Sequence, residues 1–94
     1  MAELFEFEWD PSKAVANSKK HGVSFLEATT AFDDALSLTE EERGPQGEVR
    51  MYTVGRSRAG RLLVVVHTDR TGSIRIISAR LASRRERKAY EEGT

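Results

Sequence analysis

The sequence predicts an α+β domain in the order β-α-α-β-β-β-α, with two N-terminal helices packed on one face of an antiparallel sheet and a third helix near the C-terminus. Three observations carry that expectation. Helix caps and a helix-closing glycine punctuate the first third, at Asp10, Gly22 and Ser24; strand-like segments separated by glycine-containing turns fill residues 49–81; and a further cap, Ser83, opens a last charged segment. Strands and helices grouped in separate runs are the pattern of an α+β architecture. With 94 residues, residues 1–94 form a single domain, large enough for one core and too small for two.

Each element has a local reason. Phe5, Phe7 and Trp9 alternate with Glu6 and Glu8, a period of two that predicts a short strand with one aromatic, buried face. Asp10 followed by Pro11 opens a helix, because the carboxylate caps free amides and proline's fixed φ suits the first helical position. That helix should stop at His21, since Gly22 can take the left-handed conformation that closes a helix. Ser24 and Glu27 form a capping box, and Phe25, Ala28, Thr29 and Phe32 give the second helix an apolar stripe. Leu36 and Leu38 form a brief strand or fold back onto the core, and residues 39–47, rich in Glu, Gly and Pro, read as a loop.

The second half is strand-like. Residues 49–55 are followed by a turn at 57–60, a strand at 61–68, a turn at 69–72 and a strand at 73–81. Residues 62–66 are apolar on both faces and therefore belong at the centre of the sheet, with the strands around Met51 and Ile76 beside them. Short turns imply antiparallel neighbours. Ser83 and Glu86 make a second capping box, so a final helix covers residues 84–92 and carries Arg84, Arg85, Arg87 and Lys88.

Composition excludes several classes. There is no cysteine, hence no disulfide and no thiolate metal site. The two histidines lie far apart and no carboxylates group at ligand spacing, so no metal or other cofactor is expected. Residues 1–9 carry three glutamates and no basic residue, the wrong chemistry for a secretory signal. The longest aliphatic run, 62–66, is far short of the ~20 residues of a membrane span. A soluble cytoplasmic protein without membrane contact is the expectation.

The charge is unevenly placed. Residues 1–48 hold 4 basic and 11 acidic side chains, net −7, whereas residues 49–94 hold 11 basic and 4 acidic, net +7, and ten of those 11 cations are arginines. The guanidinium fork suits bidentate contact with phosphate, so the second half is the candidate surface for a polyanion.

Several blocks taken in order resemble the BrnT family, the toxins of a type II toxin–antitoxin system. They are Phe7-Glu8-Trp9-Asp10-Pro11; Asn17 with Lys20-His21-Gly22-Val23-Ser24-Phe25; Gly55-Arg56-Ser57 with Gly60-Arg61; and Arg75-Ile76-Ile77-Ser78-Ala79-Arg80 with Glu86-Arg87 and Tyr90. The resemblance implies a RelE-like fold and a ribonuclease activity that inhibits translation. It also implies a ribbon-helix-helix antitoxin, BrnA, through which alone operator DNA would be bound. Two positions depart from the family pattern: Ala35 stands where a proline is usual, and Val49 where an acidic residue precedes the arginine of a strand.

Metal-free RNA cleavage needs a base for the 2′-hydroxyl, cations for the phosphorane and an acid for the leaving 5′-oxygen. Lys20 and His21 end the first helix, where the macrodipole favours their protonated forms; His21 serves as acid, as base, or only as a cap. Arg50 and Arg80 are the expected phosphate-binding and charge-neutralising residues. Arg50 shares a strand face with Tyr52 and Val54, and Arg80, by alternation, shares one with Ile74 and Ile76. With Lys20 and His21 they make the candidate catalytic set. Arg61, Thr68, Arg70, Arg84 and Tyr90 are the candidate RNA contacts, while His67, alternating with Leu63 and Val65, reads first as a core residue. Two other functions fit the same arginines: a non-catalytic RNA-binding module, and a structural co-repressor that holds a DNA-binding protein at its operator.

Overall fold

The structure is a computed structural model that describes residues 6–93; Phe5 of the expected first strand lies outside that range. Five strands and three helices follow one another as β1 (Glu6–Glu8), α1 (Pro11–His21), α2 (Phe25–Thr30), β2 (Leu38–Arg43), β3 (Val49–Arg56), β4 (Leu62–Arg70), β5 (Ser73–Leu81) and α3 (Arg84–Glu92), with a single 3-10 turn at Ala31–Asp33 after α2. The strands form one sheet in the order β1-β5-β4-β3-β2. Its centre is β4, as the doubly apolar run 62–66 requires: Leu62 through His67 are all buried.

Three expectations are corrected. The sheet is mixed, because β1 runs parallel to β5 while the other neighbours are antiparallel. The stretch read as a loop contains a strand: residues 38–43 pair with β3 from Leu38–Val54 to Arg43–Val49. Glutamates are poor strand formers in general, but β2 is an edge strand and all six of its residues are exposed, so the charges remain solvated and discourage pairing with another chain. The described residues therefore form five strands, not four.

The third correction concerns Arg80. Between Val66 and His67 the β4–β5 register shifts, so that Val66 faces Ser78 while His67 faces Ile76. Ile77 is the extra residue of a bulge, which reverses the alternation beyond it. Ile74 and Ile76 point to the helix-covered face, whereas Arg80, opposite Val64, points to the other.

The helix caps form as the sequence indicates, with one exception. Asp10 accepts from the Ser12 amide at 2.8 Å and Gly22 closes α1 at φ 68°. Ser24 caps α2 through the Glu27 amide, but the Glu27 side chain does not complete the box; it turns to Ser57 and Arg61. Ser83 and Glu86 form the full box on α3. The hairpin from β4 to β5 is tight, since Arg70 pairs directly with Ser73 around Gly72 at φ 73°.

The core lies between α1, α2 and the sheet. Val23, Phe25, Ala28 and Ala31 pack on Leu63, Val65, Ile76 and Ala79, with Phe7, Trp9, Ala14 and Phe32 at the margin. Gly55 permits this approach, because a Cβ there would stand 2.6 Å from the Ala31 carbonyl oxygen. Asn17, the one buried residue of α1, fixes the helix to the sheet: its Nδ2 donates to the carbonyls of Val23 and Ala79, and its Oδ1 accepts from the Ala79 amide. None of the helices among the described residues is long and apolar enough to cross a membrane.

Candidate functional site

The face of the sheet away from α1 and α2 carries most of the strand arginines. Strand register places Arg50, Tyr52 and Val54 of β3, Val64, Val66 and Thr68 of β4, and Arg75, Ser78 and Arg80 of β5 on that side. Arg70 extends it beside β1, where Glu8 lies 3.8 Å from Arg75 Nη1 and 4.0 Å from Arg70 Nη1. One oxygen of Glu8 is buried and has no hydrogen bond among the described residues. The face therefore keeps an apolar floor of valines under a layer of long cationic side chains, whose stems cover the floor while their heads stay wet.

The helix α3 covers only one end of this face. Tyr90 is its buried residue; its hydroxyl donates to Asp34 Oδ2 at 2.6 Å and the Arg56 guanidinium sits 5.8 Å from its ring centroid. Burial pushes the Asp34 carboxyl up, but hydrogen bonds from Tyr90 and from the amides of Arg56 and Leu36 outweigh it and hold the group low. The bond to Asp34 in turn raises the Tyr90 phenol. Arg84 and its basic neighbours Arg85, Arg87 and Lys88 are exposed on α3. Between α3 and β2 a groove of about 160 Å³ remains, lined by Leu38, Glu40, Glu42, Tyr52, Val54, Val64, Glu86 and Ala89.

Several of the arginines are already paired. Arg80 makes a bidentate contact with Glu86, Nη1 to Oε1 at 2.7 Å and Nη2 to Oε2 at 2.8 Å. The Arg80 hydrogen bond is the main reason that the Glu86 carboxyl falls to about 2, and the pair raises Arg80 in return. Arg61 is held on the opposite side of the sheet by two hydrogen bonds to Glu27 and one to the Gly22 carbonyl at 3.0 Å. Arg50 reaches Glu48 at 3.0 Å, with both side chains well exposed.

The structure brings some of the sequence candidates together and separates others. Arg50, Arg80, Thr68 and Arg70 share the open face, with Arg84 and Tyr90 on the helix beside it. Lys20 and His21 end α1, which packs on the core face through Asn17, so the sheet stands between them and Arg50 and Arg80. His67 is a core residue, 2% exposed, in a polar chain that runs Thr39, Thr53, His67, Asp69 with links of 2.8, 2.7 and 2.6 Å. In the sequence Glu40, Glu42 and Glu86 read only as loop and cap residues. The signal available for Glu86 was its separation of six residues from Arg80, across a strand end and a cap; for Glu40 and Glu42 it was their spacing of two.

A small α+β domain with helices on both sides of a mixed sheet thus presents an arginine-lined face, left partly open, whose charge suits an anion. The comparisons make that class specific. The family model described as "Ribonuclease toxin, BrnT, of type II toxin-antitoxin system" matches residues 9–86, and the chain belongs to the BrnT family. Its fold is similar to the 1.1 Å crystal structure of the Brucella abortus ribonuclease toxin BrnT, with a TM-score of 0.67 and 19% identity over 86% of this chain and 100% of that one. At that identity the likeness is one of fold. No curated protein sequence matches the chain.

Proposed function

We propose that this protein is a metal-independent endoribonuclease, the toxin of a type II toxin–antitoxin pair, whose RNA cleavage inhibits translation in the cytoplasm. The observation that carries the reading is the family match over residues 9–86, and the gathering of Arg50, Arg80, Thr68 and Arg70 on one sheet face supports it. Arg50 and Arg80 bind the scissile phosphate and neutralise the charge that builds up as the 2′-oxygen attacks. Arg70, Thr68 and Arg84 extend the contact along the RNA backbone. Arg61 and Tyr90 contribute chiefly by holding α2 and α3 in place. On this reading the fold is a RelE-like core to which β2 adds an edge strand.

The partner is an antitoxin of the BrnA-like ribbon-helix-helix type, which covers the arginine face with acidic groups and alone contacts operator DNA. Lys20 and His21 transfer protons in this scheme only where RNA passes round the end of β5 to reach α1. Their separation from Arg50 and Arg80 favours a second reading, a module that binds RNA without cutting it.

Purified protein on labelled RNA in excess chelator separates the two. Cleavage that leaves 2′,3′-cyclic phosphate ends, and drops ~10²–10³-fold in Arg80→Ala, is expected. Binding without cleavage overturns the enzyme in favour of the module. Cleavage unchanged in both His21→Ala and Lys20→Ala would remove α1 from the chemistry.

A further inference from the structure

The groove between β2 and α3 has an apolar floor of Leu38, Val54 and Val64, with Tyr52 and two glutamates, Glu40 and Glu42, along one wall. Cross-strand register sets Glu40 opposite Tyr52 and Glu42 opposite Arg50. The groove also meets Glu86, but that carboxylate is fully occupied by Arg80 and the Ser83 amide. The Glu40 and Glu42 carboxylates, in contrast, have neither hydrogen-bond nor ion-pair partner among the described residues. At about 160 Å³ the space is below the ~300–1,000 Å³ of pockets for drug-sized ligands, and suits one flat ring system.

We propose that this groove is a nucleobase subsite that takes guanine from RNA held by Arg50 and Arg80, with Glu40 and Glu42 accepting its ring and amino N–H groups. The inference rests on the ribonuclease reading and adds to it a sequence preference. An ionised carboxylate accepts hydrogen bonds and cannot donate. Guanine is the base whose Watson–Crick edge presents two adjacent donors, N1–H and N2–H₂; adenine, cytosine and uracil each set a lone pair beside their donor, which a carboxylate repels. An apolar slot with an aromatic side chain is the usual seat of a splayed-out base in single-stranded RNA.

A cation beside the glutamates suits a nucleotide, which brings both a base and a phosphate. Arg50 adjoins Glu42, and Arg80 is bonded to Glu86 at the other wall. Arg50, exposed beside Glu42, is placed to hold a phosphate that flanks the base, whereas the charge of Arg80 is already offset by Glu86.

The test titrates 5′-GMP, 5′-AMP, 5′-CMP and 5′-UMP separately into the protein and follows backbone amide resonances of β2, β3 and α3. GMP should bind ~10-fold or more tightly than the other three, and Glu40→Gln and Glu42→Gln should each lower its affinity ~10-fold, the scale of one base-edge contact. Both positions are exposed on an edge strand, so urea midpoints near that of the parent verify the fold. In parallel, cleavage sites on an RNA of mixed sequence should fall beside guanosine, with the bias relaxed in the two variants. Equal affinity for the four nucleotides, or a guanine preference that survives both substitutions, overturns the subsite even where cleavage persists. Loss of antitoxin affinity in the variants without any nucleotide preference assigns the groove to a basic peptide instead. No cleavage of any RNA with GMP selectivity intact would sink the nuclease reading and leave a guanine-binding site.

Discussion

Arg80 and Glu86 join the last strand to the last helix through one carboxylate. Glu86 accepts from both terminal nitrogens of the Arg80 guanidinium, Nη1 and Nη2, and at the same time from the Ser83 amide that it caps, at 2.8 Å. Its carboxyl is held at about 2, mainly by Arg80. A depressed carboxylate stabilises the fold above its unfolded value, near 4.5, and that stabilisation is lost as pH falls through the folded value.

Acid unfolding should therefore include a component between pH 4.5 and about 2 that is absent in Glu86→Gln. Glutamine still completes the capping box, so the substitution removes the ion pair and keeps the cap. Because both side chains are about a third exposed, the expected loss at pH 7 is about 1 kcal/mol, or ~4–8 °C in Tm. Thermal melts from pH 7 down to pH 2 measure it, and parallel curves for the two proteins would refute it.

Asn17→Ala should be far more costly. Asn17 is 7% exposed and satisfies the Val23 and Ala79 carbonyls and the Ala79 amide. Alanine leaves these buried backbone groups without their partner, a penalty of ~1–3 kcal/mol for each that stays dry. A fall of about 3 kcal/mol in urea unfolding is expected, and a change below ~0.5 kcal/mol would mean that water replaces the side chain.

How much of this could be read from the sequence depended on range. Asp10, Gly22, Ser24 and Ser83 announced the helix ends, because capping is settled within four residues. The run 62–66 announced the central strand, because it is apolar on both faces. What escaped was set by distant partners. Residues 38–43 became a strand by pairing with β3, which overrides a glutamate-rich composition. The bulge at Ile77 is marked only by the doublet Ile76-Ile77, where the apolar positions pass from 74 and 76 to 77, 79 and 81; unbroken alternation through it puts Arg80 on the face opposite to the one it occupies. Likewise the capping signal of Glu27 was genuine at its amide but not at its carboxylate, which Arg61 recruits from 34 residues away. The grouping of Arg50 with Arg80 follows from the β3-β4-β5 order, information held by no single segment.

If Arg50 and Arg80 hold phosphates, their removal should change the salt dependence of RNA binding as well as its strength. Each phosphate contact on a single strand contributes a slope of ~0.7 in log affinity against log salt. Arg50→Ala should flatten the slope by about that amount, and Arg80→Ala by less, since Glu86 already offsets its charge. Filter binding of a short single-stranded RNA over a range of salt concentrations measures both. Slopes identical to the parent would place the RNA elsewhere.

His67 should confer a second, milder pH dependence. Its Nδ1–H donates to the acceptor-only carboxylate of Asp69, so in the neutral ring Nε2 accepts from the Thr53 hydroxyl, whose oxygen accepts from Thr39. The Phe32 ring meets the imidazole edge-on at 4.9 Å. Burial pushes the His67 pKa down, and Asp69 only partly restores it. The unfolded chain thus binds a proton more readily than the folded one, and stability, complete above the ordinary histidine value of ~6.5, declines as pH falls from there towards the lowered value. Protonation would also turn Nε2 into a donor and oblige Thr53 to reverse its hydroxyl, which reverses the chain as far as Thr39. Urea midpoints of the parent should decrease between pH 7 and pH 5, and His67→Leu, which fills the site without titrating, should be less stable at pH 7 but flat across that interval. An equal decline in both proteins would show that the imidazole is not the group responsible.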